Sequence, residues 1–137
     1  MWSLWSLFAM VCLGHGYAAP PSLQSLSCAD GEQCVQLGIE HFNAKAYNSS
    51  KPFFEAACAA KVGSGCRNLA VMLHQGLGED SDSQRAFGYF EQACLYGEAD
   101  VCTVVGHNYD ERKMYPEAAQ FFKAGCSFNE SESCLYG

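Results

Sequence analysis

Eight of the nine cysteines in this chain stand in four close pairs, and a thiol with a near neighbour has three chemistries open to it. It can form a disulfide, bind a metal as thiolate, or shuttle electrons. Cys58/Cys66, Cys94/Cys102 and Cys126/Cys134 are each eight positions apart, and Cys28/Cys34 is a six-position version. Structural zinc cysteines usually sit two to four residues apart, which none of these pairs does. A thiol oxidoreductase needs Cys-x-x-Cys with a low-pKa thiol, and no such spacing occurs. Structural disulfides made in an oxidising compartment are the better reading. Eight cysteines permit about a hundred connectivities. Pairing inside each couple needs no long-range coincidence, so Cys28–Cys34, Cys58–Cys66, Cys94–Cys102 and Cys126–Cys134 are expected. The ninth, Cys12, lies in the apolar N-terminus.

Other reactive types are less well arranged. A serine β-lactamase needs a lysine one helical turn after its nucleophile, and no serine here has a lysine three residues on. His41, His74 and His107 are each 33 positions apart, which raises a metal site. Counted from the second cysteine of the nearest pair they fall at +7, +8 and +5, so they share no helical position. Equivalent residues of stacked helical repeats also stand about 10 Å apart. These histidines read as surface or half-buried helix residues; no catalytic residue, metal or cofactor is expected.

The elements that must position the cysteines follow from a second spacing. Cys58 to Cys94 is 36 positions and Cys94 to Cys126 is 32, a period in the thirties that marks helical-hairpin repeats. Before Cys58, Cys94 and Cys126 stand the aromatic pairs Phe53/Phe54, Tyr89/Phe90 and Phe121/Phe122, five and four positions upstream, with a small residue directly before the cysteine. Residues three to four apart share one face of a helix. Pro52 and Pro116 are read as lying near the starts of two of these first, or A, helices, where a missing N–H costs nothing.

After Cys34, Cys66 and Cys102 a second, B, helix begins, with an aliphatic residue at +3 and Gly38, Ala70 or Gly106 at +4. A small residue at that place implies that another helix crosses closely. Val101 to Val105 look strand-like by propensity, but the repeat register outweighs it. Gly63-Ser64-Gly65, Gly97 and Asn129 are read as helix C-caps in the turns between A and B. Each bridge then staples a hairpin at its closed end, and closing a ring of about nine residues contributes roughly 2–3 kcal/mol. In each aromatic pair one ring should be core while the other touches the neighbouring repeat.

Residues 1–18 read as a signal peptide, an apolar stretch ending in Gly16-Tyr17-Ala18, followed by a linker over 19–27. The apolar run is shorter than the ~20 residues that span a bilayer. A net charge of −7 without a basic cluster excludes a nucleic-acid surface. It favours basic or neutral partners, and Glu79-Asp80-Ser81-Asp82 should form a solvated inter-helix turn. Asn48-Ser49-Ser50 and Asn129-Glu130-Ser131 match glycosylation sequons and are taken as fortuitous.

The pattern Ala-x-x-aromatic-Phe-x-x-small-Cys, followed by Cys-x-x-aliphatic-small, resembles Sel1-like repeats, relatives of the tetratricopeptide repeat. With seven residues between the cysteines it is similar to the secreted Helicobacter cysteine-rich protein family. The resemblance covers about residues 28–137. It implies an all-α fold, a right-handed α-solenoid of helical hairpins, each clasped by a C-x7-C disulfide, with a concave surface used for binding. It also implies a penicillin-binding or β-lactamase assignment. The chain stops three residues after Cys134, where a B helix should run on, so about three repeats plus a truncated terminal one are expected.

The function expected is a secreted or periplasmic scaffold that binds a peptide or protein partner. Stacked hairpins create an extended groove, and Gln36, Asn68 and Asn108 are candidate contacts on it. The alternative, carried by the resemblance alone, is β-lactam binding or weak hydrolysis, with a β-lactam or peptidoglycan-like small molecule as ligand. A third reading is an assembly factor of the mitochondrial intermembrane space, against which the signal-like N-terminus argues. No nucleic acid is expected as a partner, and no membrane after signal cleavage.

Overall fold

A computed structural model describes residues 22, 26–128 and 134–135. The expected signal peptide over 1–18, most of the linker over 19–27 and the Asn129 sequon lie outside the described residues. Six helices of equal length follow one another: α1 (Gly31–Asn43), α2 (Tyr47–Ala59), α3 (Gly63–Gln75), α4 (Ser83–Leu95), α5 (Ala99–Glu111) and α6 (Tyr115–Ser127). The A helices are α2, α4 and α6, and the B helices are α1, α3 and α5. Val101 to Val105 lie within α5, so the repeat register did prevail over β propensity. Among the described residues no helix is long and apolar enough to cross a membrane.

All four expected disulfides form. Cys58–Cys66 joins α2 to α3 and Cys94–Cys102 joins α4 to α5, with Cα atoms 4.5 and 4.7 Å apart. Cys126–Cys134 ties α6 to the segment at 134–135, at 4.6 Å. Cys28–Cys34 departs from the C-x7-C pattern. Its six-position span links the chain just before the Asp30 N-cap to the first turn of α1, so it staples one helix start rather than two helices.

Packing is stronger across repeat boundaries than inside the clasped hairpins: α1 on α2, α3 on α4 and α5 on α6 make the most extensive contacts. The reason is the small residue at +4. A Cβ on Gly38 would lie 2.6 Å from the Phe54 ring, and one on Gly106 2.5 Å from the Phe122 ring. These glycines are the seats into which the neighbouring A helix presses its phenylalanine, which leaves Phe54 1% and Phe122 4% exposed. The companion ring in the first pair reaches elsewhere: Phe53 stacks on His41 at 5.2 Å and packs against the cluster around Cys28 and Cys34.

Three details differ from the expectation. Pro52 sits inside α2, which begins five residues earlier at Tyr47; it is Pro116 that occupies the first turn of its helix. The proline removes one mid-helix N–H, while the helix start around it is anchored by Ser50, whose buried hydroxyl donates to the Gly38 carbonyl at 2.8 Å. Second, Gly63-Ser64-Gly65 opens α3 instead of capping α2. The left-handed turn residue there is Lys61 (φ 63°), as it is Lys45 (φ 59°) and Lys113 (φ 62°) in the turns before α2 and α6; Gly97 (φ 106°) plays this part once. In each of these turns two backbone N–H groups reach back to the last carbonyls of the preceding helix, as with Lys61 to Cys58 and Val62 to Ala57.

Third, the acidic turn is not simply solvated. Glu79 pairs with Lys51 of α2 and, at 3.3 Å, with Arg85 of α4. Asp82 caps α4 by accepting from the Arg85 N–H at 3.0 Å. The hydrogen bond from Lys51 is the main cause holding the Glu79 carboxyl below its ordinary range, against a smaller opposing effect of burial.

Candidate functional site

The three candidate contacts lie on three different helices. Gln36 is exposed on α1 and Asn68 is half-buried on α3, and neither lines the groove that Asn108 lines. Asn108 of α5 does: it lines an open groove of about 880 Å³ between α4 and α5, at the end of the hairpin away from Cys94–Cys102.

The α4/α5 hairpin packs less extensively than the α2/α3 hairpin before it. In the α2/α3 hairpin, Gly65 precedes the second cysteine, and a Cβ there would come within 2.6 Å of the Ala57 Cβ and 2.9 Å of the Cys58 N. The equivalent residue in the α4/α5 hairpin is Val101, whose side chain is 5% exposed. A valine cannot occupy the space that Gly65 leaves, so the close backbone approach made at Gly65 has no counterpart at Val101. Further along, Met72 of α3 fills the gap of its own hairpin and is 1% exposed. Six residues after Cys102 the corresponding side chain is Asn108, shorter and polar.

Aromatic rings form the walls. Phe87 and Phe90 of α4 face Tyr109 of α5. The Phe87 and Tyr109 rings meet edge to face at 5.5 Å, and Tyr109 stacks on Phe121 of α6 at 5.4 Å. Phe90 is half-buried where Phe54 and Phe122 are buried. At the repeat position of Gly38 and Gly106, α3 carries Ala70 in place of glycine.

Polar groups punctuate this wall. Tyr109 donates its hydroxyl to the Glu91 carboxylate. That bond, reinforced by burial, pushes the phenol up to about 12, so it stays a donor at any physiological pH. The Arg112 guanidinium lies over the Phe87 ring, 5.4 Å from its centroid, a cation–π contact. Asn108 Oδ1 is buried and has no hydrogen-bond partner among the described residues. A buried acceptor left unpaired costs about 1–3 kcal/mol, a cost that a ligand donor would relieve. Gly88 leaves the floor open, since a Cβ there would meet nothing within 4 Å.

The chemistry this arrangement can perform is recognition. Ser83 Oγ lies 3.5 Å from His74 Nδ1 at the rim, the outer limit of a hydrogen bond, and both side chains are exposed. No carboxylate of a described residue pairs with His74, and no lysine lines the groove. The three histidines stay apart in function as in position: His41 is on Phe53, His107 is edge-on to Phe122 at 5.2 Å, and His74 is by Ser83. Among the described residues no three His, Cys, Asp or Glu side chains converge to hold a metal.

Sequence reasoning reached Asn108 but missed Phe87, Glu91, Tyr109 and Arg112. The signal was present in the alignment of the repeats: an amide stands in α5 where α3 has a buried methionine.

No family model matches the chain. It is 31% and 34% identical, over 80 and 73 residues, to proteins of two Helicobacter pylori strains that bear the name "Putative beta-lactamase HcpC". The matches cover 58% and 53% of this chain but about a quarter of each relative, 26% and 24%. Among solved structures, a Sel1 repeat protein from Oxalobacter formigenes superposes with a TM-score of 0.64 at 17% identity, over 80% of this chain and 48% of that one. Helicobacter pylori cysteine-rich protein B superposes with a TM-score of 0.56 at 19% identity, over 77% of this chain and 92% of that one. Four disulfides and relatives of this kind indicate an oxidising, extracytoplasmic compartment. Hairpins in this register, clasped cysteine to cysteine, share the fold of these Sel1 repeat structures, and part of the chain is similar in sequence to the Helicobacter HcpC proteins.

Proposed function

We propose that the chain is a secreted or periplasmic binding scaffold whose α4/α5 groove takes a segment of a peptide or protein partner. The observation that carries this is the buried, unpartnered Asn108 oxygen set among three aromatic rings: an amphipathic trough with a hydrogen bond left to make. The disulfides support it from behind, because a groove pre-shaped by a stapled hairpin loses little conformational freedom on binding.

A peptide array probed with the oxidised protein tests the reading, with Gly88→Trp as the blocked control. The open space at Gly88 admits a large ring, and replacing a mid-helix glycine favours the helix. Peptides retained by the wild type and released by the folded Gly88→Trp variant support the proposal. Equal retention by both, or no retention by either, sinks it.

The name borne by the Helicobacter relatives favours a second reading, β-lactam binding or hydrolysis. Its best local support is the Ser83/His74 contact at the rim. Nitrocefin turnover that follows the purified protein and disappears in Ser83→Ala would establish it. Turnover that is lost on repurification removes it.

A further inference from the structure

Resting on the groove reading above, we infer that the occupant presents a cationic side chain, a lysine or arginine on an extended peptide segment, to the aromatic wall between α4 and α5. Three kinds of group converge there, and each attracts positive charge. Phe87, Phe90 and Tyr109 line the groove, and aromatic faces, such as the Phe87 face that Arg112 covers, carry a negative quadrupole. Glu91 sets a carboxylate among those rings, anchored by Tyr109. Asn108 adds the unpaired amide oxygen.

The chain's own Arg112 displays the chemistry, since its guanidinium already lies over Phe87. An incoming cation would share or take over that ring face. The charged and titratable groups bordering the groove are Glu91, Arg112, His74 and Tyr109, so one carboxylate stands against one rim guanidinium and a rim imidazole. At longer range the chain's net charge of −7 draws a basic segment toward this surface. An anionic ligand would set its charge against Glu91 and the Asn108 oxygen. A wholly apolar one would cover the Glu91 carboxylate without replacing its water.

Short end-blocked peptides identical except for a central Arg, Lys, Gln or Glu, flanked by leucines, test this by fluorescence titration. The Arg and Lys peptides should bind the oxidised wild type about tenfold tighter than the Gln peptide, the Glu peptide being weakest. Glu91→Gln should remove most of that preference, leaving the Gln peptide nearly unchanged. Arg112→Gln is the sharper variant: freeing the Phe87 face should tighten the Arg peptide roughly threefold, whereas an anion-binding groove would weaken. Binding of the Gln and Arg peptides with equal affinity, lost together in Gly88→Trp, overturns the cation proposal while the groove reading stands. Tightest binding by the Glu peptide overturns it likewise. No binding by any of the four overturns both.

Discussion

The α2/α3 and α4/α5 hairpins share a length, a disulfide position and a turn, yet one is sealed and the other carries a trough. In the first, Gly65 lets the helices close and Met72 fills what remains. In the second, Val101 stands in place of that glycine, the helices pack less extensively, and Asn108 lines the trough with an unpaired oxygen. Ser50 and Ala86, at matching places, are both buried, so the difference is not one of overall collapse. It comes from a few positions that face each other across the hairpin. A repeat scaffold can thus keep its core register while the side chains facing each other across a hairpin change.

The largest expected effect concerns the phenylalanine seats. Phe54→Ala should cost about 3–5 kcal/mol, since it empties a fully enclosed site. Phe90→Ala, at the half-buried equivalent, should cost roughly 1–2 kcal/mol. Equal losses in thermal melts would break the claim that the two junctions differ in depth. Next come the clasps. Replacing Cys58 and Cys66 by serine, or Cys94 and Cys102, should each remove about 2–3 kcal/mol through the unfolded chain. Hydrogen exchange should then show wider opening in α4 and α5, because packing there does less to replace the bridge; opening confined to α2 and α3 would contradict it.

The facing residues can be exchanged directly. Gly65→Val should destabilise by about 1–3 kcal/mol as α3 is pushed off α2. Its crystal structure should show α3 displaced from α2, and an unmoved α3 would refute the close approach at Gly65. Asn108→Met, which copies Met72, should stabilise by about 1 kcal/mol by removing the unpaired amide and filling the trough, and should abolish peptide binding. The smallest effect is a pH dependence at the α3–α4 turn. The Glu79 carboxyl titrates below its unfolded value, so its stabilisation is present above that value and is lost as pH falls through the lowered one. The melting temperature of wild type over Glu79→Gln should therefore shrink between about pH 5 and pH 3; a difference independent of pH would exclude the ion pairs as its source.

How much of this could be read from the residues depends on the range over which the controlling interaction acts. Helix register and cysteine pairing were readable because aromatic, small and cysteine positions recur at spacings that put them on one face of one helix. The close crossing at Gly38 and Gly106 was readable for the same reason. The turns were not, because Lys45, Lys61 and Lys113 carry no compositional sign of a left-handed backbone. Pro52 misled because the start of α2 is secured by Ser50 across to Gly38, a tertiary bond that no local rule contains. The trough escaped notice for a kindred reason. Its walls come from side chains on two helices, and only the spatial pairing of those helices brings them together.

One last consequence follows from the tighter fit across repeat boundaries. The covalent joints link α2 to α3 and α4 to α5, while the most extensive packing joins α1 to α2, α3 to α4 and α5 to α6. Sulfur seams and packing seams are therefore offset by one helix, like overlapping courses of masonry. A pull along the array meets a bond or a filled core at every joint, so strain applied at one end should be carried the full length before any single layer peels away.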